Sequence, residues 1–151
     1  MGPTIRLSPL VTTIVCNKST MSADSQITAG DHKTAATKLF RRNGDIIGVA
    51  GDFAAALLFV EWWCGVVSEE YPDPPDMKDV EALVLSHTGI YLFCGSAVPI
   101  KITHPFAAIG SGAAAALGAM HMGATPQQAI KVASRVDPYT GGRIKSMKLP
   151  E

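Results

Sequence analysis

The chain lacks any excess of charge: 13 Lys and Arg balance 13 Asp and Glu. That balance leaves no electrostatic footprint for nucleic acid or for an anionic membrane surface. A local basic cluster, Lys38, Arg41 and Arg42, reads as a solvated strand face. Cysteine is scarce. Cys16, Cys64 and Cys94 are an odd number with no CxxC pair, which argues against a disulfide framework and a zinc knuckle and fits a reducing cytosol. All three read as small buried apolar groups. His32, His87, His104 and His121 never fall at an HxxxH or HxH spacing, so no metal is expected, and no cofactor. A secretory signal is also missing, because Met1-Gly2-Pro3-Thr4-Ile5-Arg6 has neither a charged start nor a continuous apolar core. The uncharged run from Pro105 to Ala124 approaches membrane-span length. It is mostly Ala and Gly, and Gly110-Ser111-Gly112 interrupts it, so a buried strand, turn and helix is the better reading. The expectation is a cytoplasmic protein with no membrane and no nucleic-acid partner.

What is present is enough apolar residue for one core. The 151 residues are 47% hydrophobic and 17% charged, which fits a single globular domain. Residues 1–11 hold Pro3 and Pro9 without periodicity and read as an irregular leader. Thr13 to Asn17 is β-branched like a strand, Asn17-Lys18-Ser19 is a tight turn, and Thr20 to Thr28 is the returning strand. Ala29-Gly30-Asp31-His32 breaks that pattern. Thr37 to Arg42 and Asp45 to Ala50 flank Asn43-Gly44, a strong hairpin signal. Asp52 then caps a helix whose stripe is Phe53, Ala56, Leu57, Val60 and Cys64. The helix ends near Ser68-Glu69-Glu70, and Tyr71-Pro72-Asp73-Pro74-Pro75 cannot continue it. Val80 to Ser86 and Ile90 to Cys94 form a second hairpin, which Val98 to Thr103 extends. Phe106 to Ile109 is an apolar strand, Ala113 to Met122 a small-residue helix, and Thr125 to Val136 a helix opened by a capping box. Arg143 to Met147 is the last strand. Runs of strands separated by helices predict stacked α+β layers.

Several motifs admit more than one reading. Gly110-Ser111-Gly112-Ala113 resembles half of a dinucleotide fingerprint, but the acidic residue expected about twenty positions on is replaced by Ile130. Ile109 also spoils a nucleophile elbow. A tight turn remains, with a role open for the Ser111 hydroxyl. Asp24 and Lys38 lie in strands that read as buried, where charge is costly unless paired. They are either a structural ion pair or a carboxylate holding an ammonium beside a nucleophile. Asp137-Pro138-Tyr139-Thr140-Gly141-Gly142 is by itself an ordinary turn. Thr12-Thr13-Ile14-Val15 opens a strand with a hydroxyl pair. If the leader is removed, Thr12 becomes an amino terminus carrying a nucleophile and a base on one residue.

Taken together these stretches resemble something specific. Thr12-Thr13-Ile14-Val15, Ala23-Asp24-Ser25, Thr37-Lys38-Leu39, Val49-Ala50-Gly51, Ala108-Ile109-Gly110-Ser111-Gly112 and Asp137-Pro138-Tyr139-Thr140-Gly141-Gly142 follow the order found in proteasome β subunits. They resemble still more the peptidase subunit of the related bacterial ATP-dependent protease. The resemblance implies an α+β fold, a four-layer αββα sandwich of the amino-terminal-nucleophile hydrolase type. It divides the chain into a leader or propeptide, residues 1–11, and a domain, residues 12–151. It makes Thr12 the nucleophile, with Lys38 beside it and Asp24 as the partner of Lys38. Gly51 would lend an oxyanion-hole N–H, and Ser111, Asp137 and Thr140 would surround the terminal amine. Val49 would line the first specificity pocket and favour apolar side chains. The implied partners are further copies of the chain in a ring or stacked rings, an ATP-dependent unfoldase, and a peptide or unfolded-protein substrate.

The match departs from the family in four places. Thr140 stands where the family usually has Ser, which keeps the hydroxyl. The first hairpin is short. The helical layer is shortened, because a Pro-rich linker replaces a second long helix between the sheets. Val11, not Gly, precedes the Thr. A catalytically silent ring or assembly component with an uncleaved arm is therefore the alternative.

Overall fold

The computed structural model describes residues 12–29, 32–67 and 73–150. The expected leader, the helix end at Ser68-Glu69-Glu70 and the first two linker residues lie outside the described residues.

The first hairpin joins β1 (Thr13–Asn17) to β2 (Thr20–Ala23). The Asn17 side chain builds its turn, accepting the Ser19 N–H at 2.9 Å and the Thr20 N–H at 2.8 Å. The strand expected to continue to Thr28 instead breaks at Asp24-Ser25. There the Ser25 and Gln26 N–H groups donate to the Gly141 carbonyl at 3.2 and 3.1 Å, a bond from the far end of the chain. A separate hairpin follows, β3 (Gln26–Ala29) with β4 (His32–Ala35). The break expected at Ala29-Gly30-Asp31-His32 falls between these two strands, with Gly30 and Asp31 outside the described residues. The next hairpin, β5 (Leu39–Arg42) and β6 (Asp45–Gly51), turns at Asn43-Gly44 with φ of 53° and 82°, the paired positive values a type I′ turn requires.

Helix α1 (Phe53–Val67) is capped by Asp52, whose carboxylate accepts the Ala55 N–H at 3.0 Å. Its buried face is Ala56, Phe59 and Val60, whereas Leu57 is exposed, so the stripe sits slightly around the helix from the one expected. Phe59 stacks on Phe93 at 4.8 Å between ring centres, and Trp63 donates to Asp45 at 3.1 Å, fixing the helix on the sheet. Strands β7 (Val80–Ser86), β8 (Gly89–Cys94) and β9 (Ile100–Ile102) complete one sheet. Then come β10 (Phe106–Gly110), α2 (Ala113–His121), α3 (Pro126–Val136) and β11 (Lys145–Lys148). The capping box expected at α3 is present in both halves: Thr125 accepts the Gln128 N–H at 3.2 Å, and Gln128 accepts the Thr125 N–H at 2.9 Å.

One sheet has the order β10-β1-β2-β11 and the other β5-β6-β7-β8-β9. Ile14, Met21, Ile46, Leu83 and Ile109 belong to the core between the two sheets. Helices α2 and α3 cover the outer face of the first sheet through Val15, Ala116 and Ile130. Helix α1 covers the outer face of the second through Val49, Phe59 and Val84. The layers are thus helix, sheet, sheet, helix: the α+β sandwich. Among the described residues, a single helix covers the second sheet. No helix among them is long and apolar enough to cross a membrane.

Candidate active site

Antiparallel pairing sets the start of β1 beside the end of β10 and the end of β2, with Thr13 opposite Gly110 and Ile14 opposite Ala23. Three turns therefore meet at Thr12: Asp24-Ser25 after β2, Ser111-Gly112 after β10, and the Asp137–Gly142 turn after α3. Thr12, Thr13, Asp24, Lys38 and Thr140 are all buried.

Asp24 is the hub. Its Oδ1 accepts the Thr12 hydroxyl at 2.5 Å, the Thr13 N–H at 3.1 Å and the Lys38 ammonium at 2.8 Å, and its Oδ2 accepts the Gly141 N–H at 3.0 Å. Lys38 gives a second hydrogen bond to the Gln26 carbonyl at 2.6 Å. Neither side chain of this ion pair has exposed surface. Lys38 therefore departs from the solvated strand face read for its cluster. Burial pulls the Lys38 ammonium below its ordinary range, and the Asp24 charge and hydrogen bond oppose that pull. The ammonium is thus available as a fixed positive charge within one carboxylate of the Thr12 hydroxyl.

A second chain of hydroxyls lies on the other side of the Thr12 backbone. Ser111 donates its N–H to the Thr12 carbonyl at 2.8 Å and its hydroxyl to Asp137. Thr140 donates to the same Asp137 oxygen at 2.7 Å, and the Thr140 and Thr13 hydroxyls lie 2.7 Å apart. Burial raises the Asp137 carboxyl, but bonds from Ser111, Thr140 and the Tyr139 N–H outweigh it and leave the group below its ordinary value. Asp137 is thus held as an acceptor for this cluster of hydroxyls.

The structure joins Thr12, Asp24, Lys38, Ser111, Asp137 and Thr140 in one hydrogen-bonded set. Gly51 and Val49 belong to the neighbouring sheet and reach it only indirectly. Val49 donates its N–H to the Lys38 carbonyl at 3.2 Å, which brings the end of β6 alongside Lys38. The Val49 side chain is fully buried beneath α1, and Gly51 ends β6 opposite Val80.

Three contributors escaped the sequence reading. Thr13 uses its hydroxyl as well as its N–H; the hydroxyl pair at the strand start was its only signal. Gly141 supplies a backbone donor to Asp24. Gly112 has a packing role: a Cβ there would lie 2.2 Å from the Thr13 hydroxyl and 3.0 Å from that of Thr140. Among the described residues, no three of the His, Cys, Asp and Glu side chains gather into a metal-sized cluster.

Two stacked sheets between helical layers, with a site where the first strand meets the turns from both ends of the chain, define a fold of the amino-terminal-nucleophile hydrolase type. More narrowly, it is the fold of the HslV-like, proteasome-related peptidase subunits. Eukaryotic HslV from Trypanosoma brucei superposes with a TM-score of 0.72 at 20% identity, covering 93% of this chain and 99% of that one. Thiobacillus denitrificans BPH, in complex with epoxomicin, superposes with a TM-score of 0.68 at 17% identity, covering 93% of this chain and 100% of that one. No protein-family model matches the sequence, and no curated protein matches it.

Proposed function

We propose that this chain is a threonine-type peptidase that hydrolyses peptide bonds with Thr12 as an amino-terminal nucleophile, exposed when the Val11–Thr12 bond is cut. The observation that carries this reading is the buried Asp24 carboxylate, which binds the Thr12 hydroxyl and the Lys38 ammonium through one oxygen. A purely structural ion pair needs no hydroxyl on that oxygen.

Freed of the leader, the Thr12 α-amine has an ordinary pKa of about 7.7–8.0 and is partly neutral near pH 7. The Lys38 ammonium disfavours its protonation further. The amine takes the hydroxyl proton as Thr12 Oγ attacks the substrate carbonyl carbon. The carbonyl oxygen becomes an oxyanion, for which Gly51 N–H is the proposed donor. Collapse of the adduct breaks the C–N bond, and the proton passes from the amine to the leaving nitrogen. Water then attacks the ester on Thr12 and releases the acyl half. Ser111, Asp137 and Thr140 hold the Thr12 backbone and orient its amine. Val49, beneath the surface, would act as the floor of an apolar pocket. In keeping with the folds it resembles, the active form would be a ring or stacked rings of this chain in the cytoplasm. An ATP-dependent unfoldase would feed it peptide or unfolded protein.

In the uncut chain Thr12 has no exposed surface. That observation favours the second reading, a catalytically silent assembly component that keeps its leader. Intact mass decides between them. The assembled wild type is expected to lose residues 1–11 and to form a covalent adduct with epoxomicin, whereas Thr12→Ala stays full length and unlabelled. A full-length mass for the assembled wild type would overturn the peptidase reading.

A further inference from the structure

A cavity opens at the edge of this site, sharing Asp24 and Lys38 with it. Its volume is about 570 Å³, and it lies where β11 and the chain leading into β5 diverge. Its lining includes the buried Asp24 and Lys38, the apolar Leu39 and Ile144, and a cationic side formed by Arg143 and Lys145.

We propose that this cavity is a subsite that binds a carboxylate of the peptide substrate through Arg143 and Lys145. The inference rests on the peptidase reading and adds a substrate class to it. Three observations lead there. The first is register. Lys145 pairs with Ala23 on β2, and Ala23 pairs with Ile14 on β1, so the cationic wall is at the same end of the sheet as Thr12, two strands away. Two strand spacings are about 10 Å, and an extended peptide advances about 3.3 Å per residue. A peptide with its scissile carbonyl at Thr12 therefore reaches this wall about three residues along.

The second observation is uncompensated charge. Arg143 and Lys145 are exposed, and their side chains make no hydrogen bond or ion pair among the described residues. The only acidic residue lining the cavity, Asp24, already spends both oxygens on Thr12, Thr13, Lys38 and Gly141. Among the described residues, nothing else in the lining neutralises the wall. The third is chemistry. A guanidinium binds a carboxylate through two parallel N–H bonds, a nearby ammonium adds a point charge, and the Thr37 hydroxyl in the same lining supplies a neutral donor.

The shared chemistry has two sources, an acidic side chain within the peptide or its free carboxyl terminus. Binding is measured by fluorescence anisotropy on the assembled wild-type protein, with octapeptides whose backbone amides are N-methylated around the scissile position so that they are not turned over. Three labelled octapeptides are compared: one with an internal Glu and an amidated end, one without acidic side chains but with a free carboxyl end, and one neutral and amidated. The double variant Arg143→Gln/Lys145→Gln is expected to weaken one of the carboxylate peptides about tenfold relative to the neutral one, and the peptide that loses affinity names the source. Rising salt should narrow the same gap, because the pair is solvent-facing. Arg143→Lys, which keeps the charge, should retain part of the preference. Equal binding of all three peptides, an equal loss for all three in the double variant, or no peptide binding at all would overturn the inference. A protein that keeps its leader yet shows the carboxylate preference loses only the peptidase reading. One that cleaves neutral peptides without the preference loses only the subsite.

Discussion

Replacing Asp24 by Asn tests the centre of the site without changing its volume. The substitution leaves the Lys38 ammonium buried with no counter-charge, and it turns one of the acceptor oxygens into an NH₂ facing N–H and O–H donors. Breaking one side of a fully buried ion pair costs about 3–5 kcal/mol. No discount for solvent screening applies, because neither side chain is exposed. Lys38→Met should cost less, because Asp24 keeps three donors when the ammonium is gone. The double variant should fall well short of the sum, since removing both charges leaves no orphan. Urea unfolding at a fixed protein concentration reads these as shifts of the midpoint with an unchanged slope.

The pH dependence adds a second check. In the wild type the folded pKa of Lys38 lies below its ordinary 10.5, so burying the ammonium costs stability at neutral pH. That cost is relieved as pH rises through the folded pKa towards 10.5. Without Asp24 the ammonium loses the charge that opposes desolvation, its pKa falls further, and the relief begins at lower pH. The Asp24→Asn deficit should therefore shrink on alkaline titration. A deficit below about 1 kcal/mol, or one that stays flat between pH 7 and 10, would refute the buried pair.

Other consequences can be checked separately. Burial raises the Cys16 thiol from 9.0 to about 12, against a weaker opposing hydrogen bond from Ala107. The native state thus keeps its proton where the unfolded chain loses it, worth about 4 kcal/mol in all. Relative to Cys16→Ala, wild-type stability should fall by about 1.4 kcal/mol per pH unit above 9 in urea midpoints. Gly112→Ala places a methyl 2.2 Å from the Thr13 hydroxyl. Overpacking of this kind costs about 1–3 kcal/mol and should also suppress leader removal, read by mass. Thr125→Ala removes half of the capping box on α3 and should lower stability by about 1 kcal/mol, with the slope of the urea curve unchanged.

What could be read from the sequence was whatever local chemistry decides. Asn43-Gly44 demands positive φ at both residues, and Thr125 with Gln128 satisfies two orphan donors, so the β5–β6 turn and the start of α3 were legible. The break between β2 and β3 was not. Thr20 and Met21 before it and Ile27 and Thr28 after it read as one strand, and the Gly141 carbonyl, brought in by the last turn, takes up the Ser25 and Gln26 N–H groups where the strand ends. The same distance hid Thr13 as a member of the site, because its hydroxyl partner Thr140 lies 127 residues away. Asp24 and Lys38 were visible as charges in apolar strands. That one carboxylate oxygen serves the Thr12 hydroxyl, the Thr13 backbone and the ammonium follows only from packing one sheet on the other.

The position of β1 has a consequence in time. It sits inside its sheet, between β10 and β2, so the strand made first is completed by one made almost a hundred residues later. Synthesis at about 5–20 residues per second leaves that edge unsatisfied for several seconds on the ribosome. Contacts this distant in sequence close slowly. An unpaired strand edge of this kind exposes the nascent chain to aggregation. Asp137, Thr140 and Gly141 are made later still. The hydrogen-bonded set around Thr12 therefore closes only after Gly141 has been made, more than a hundred residues after Thr12.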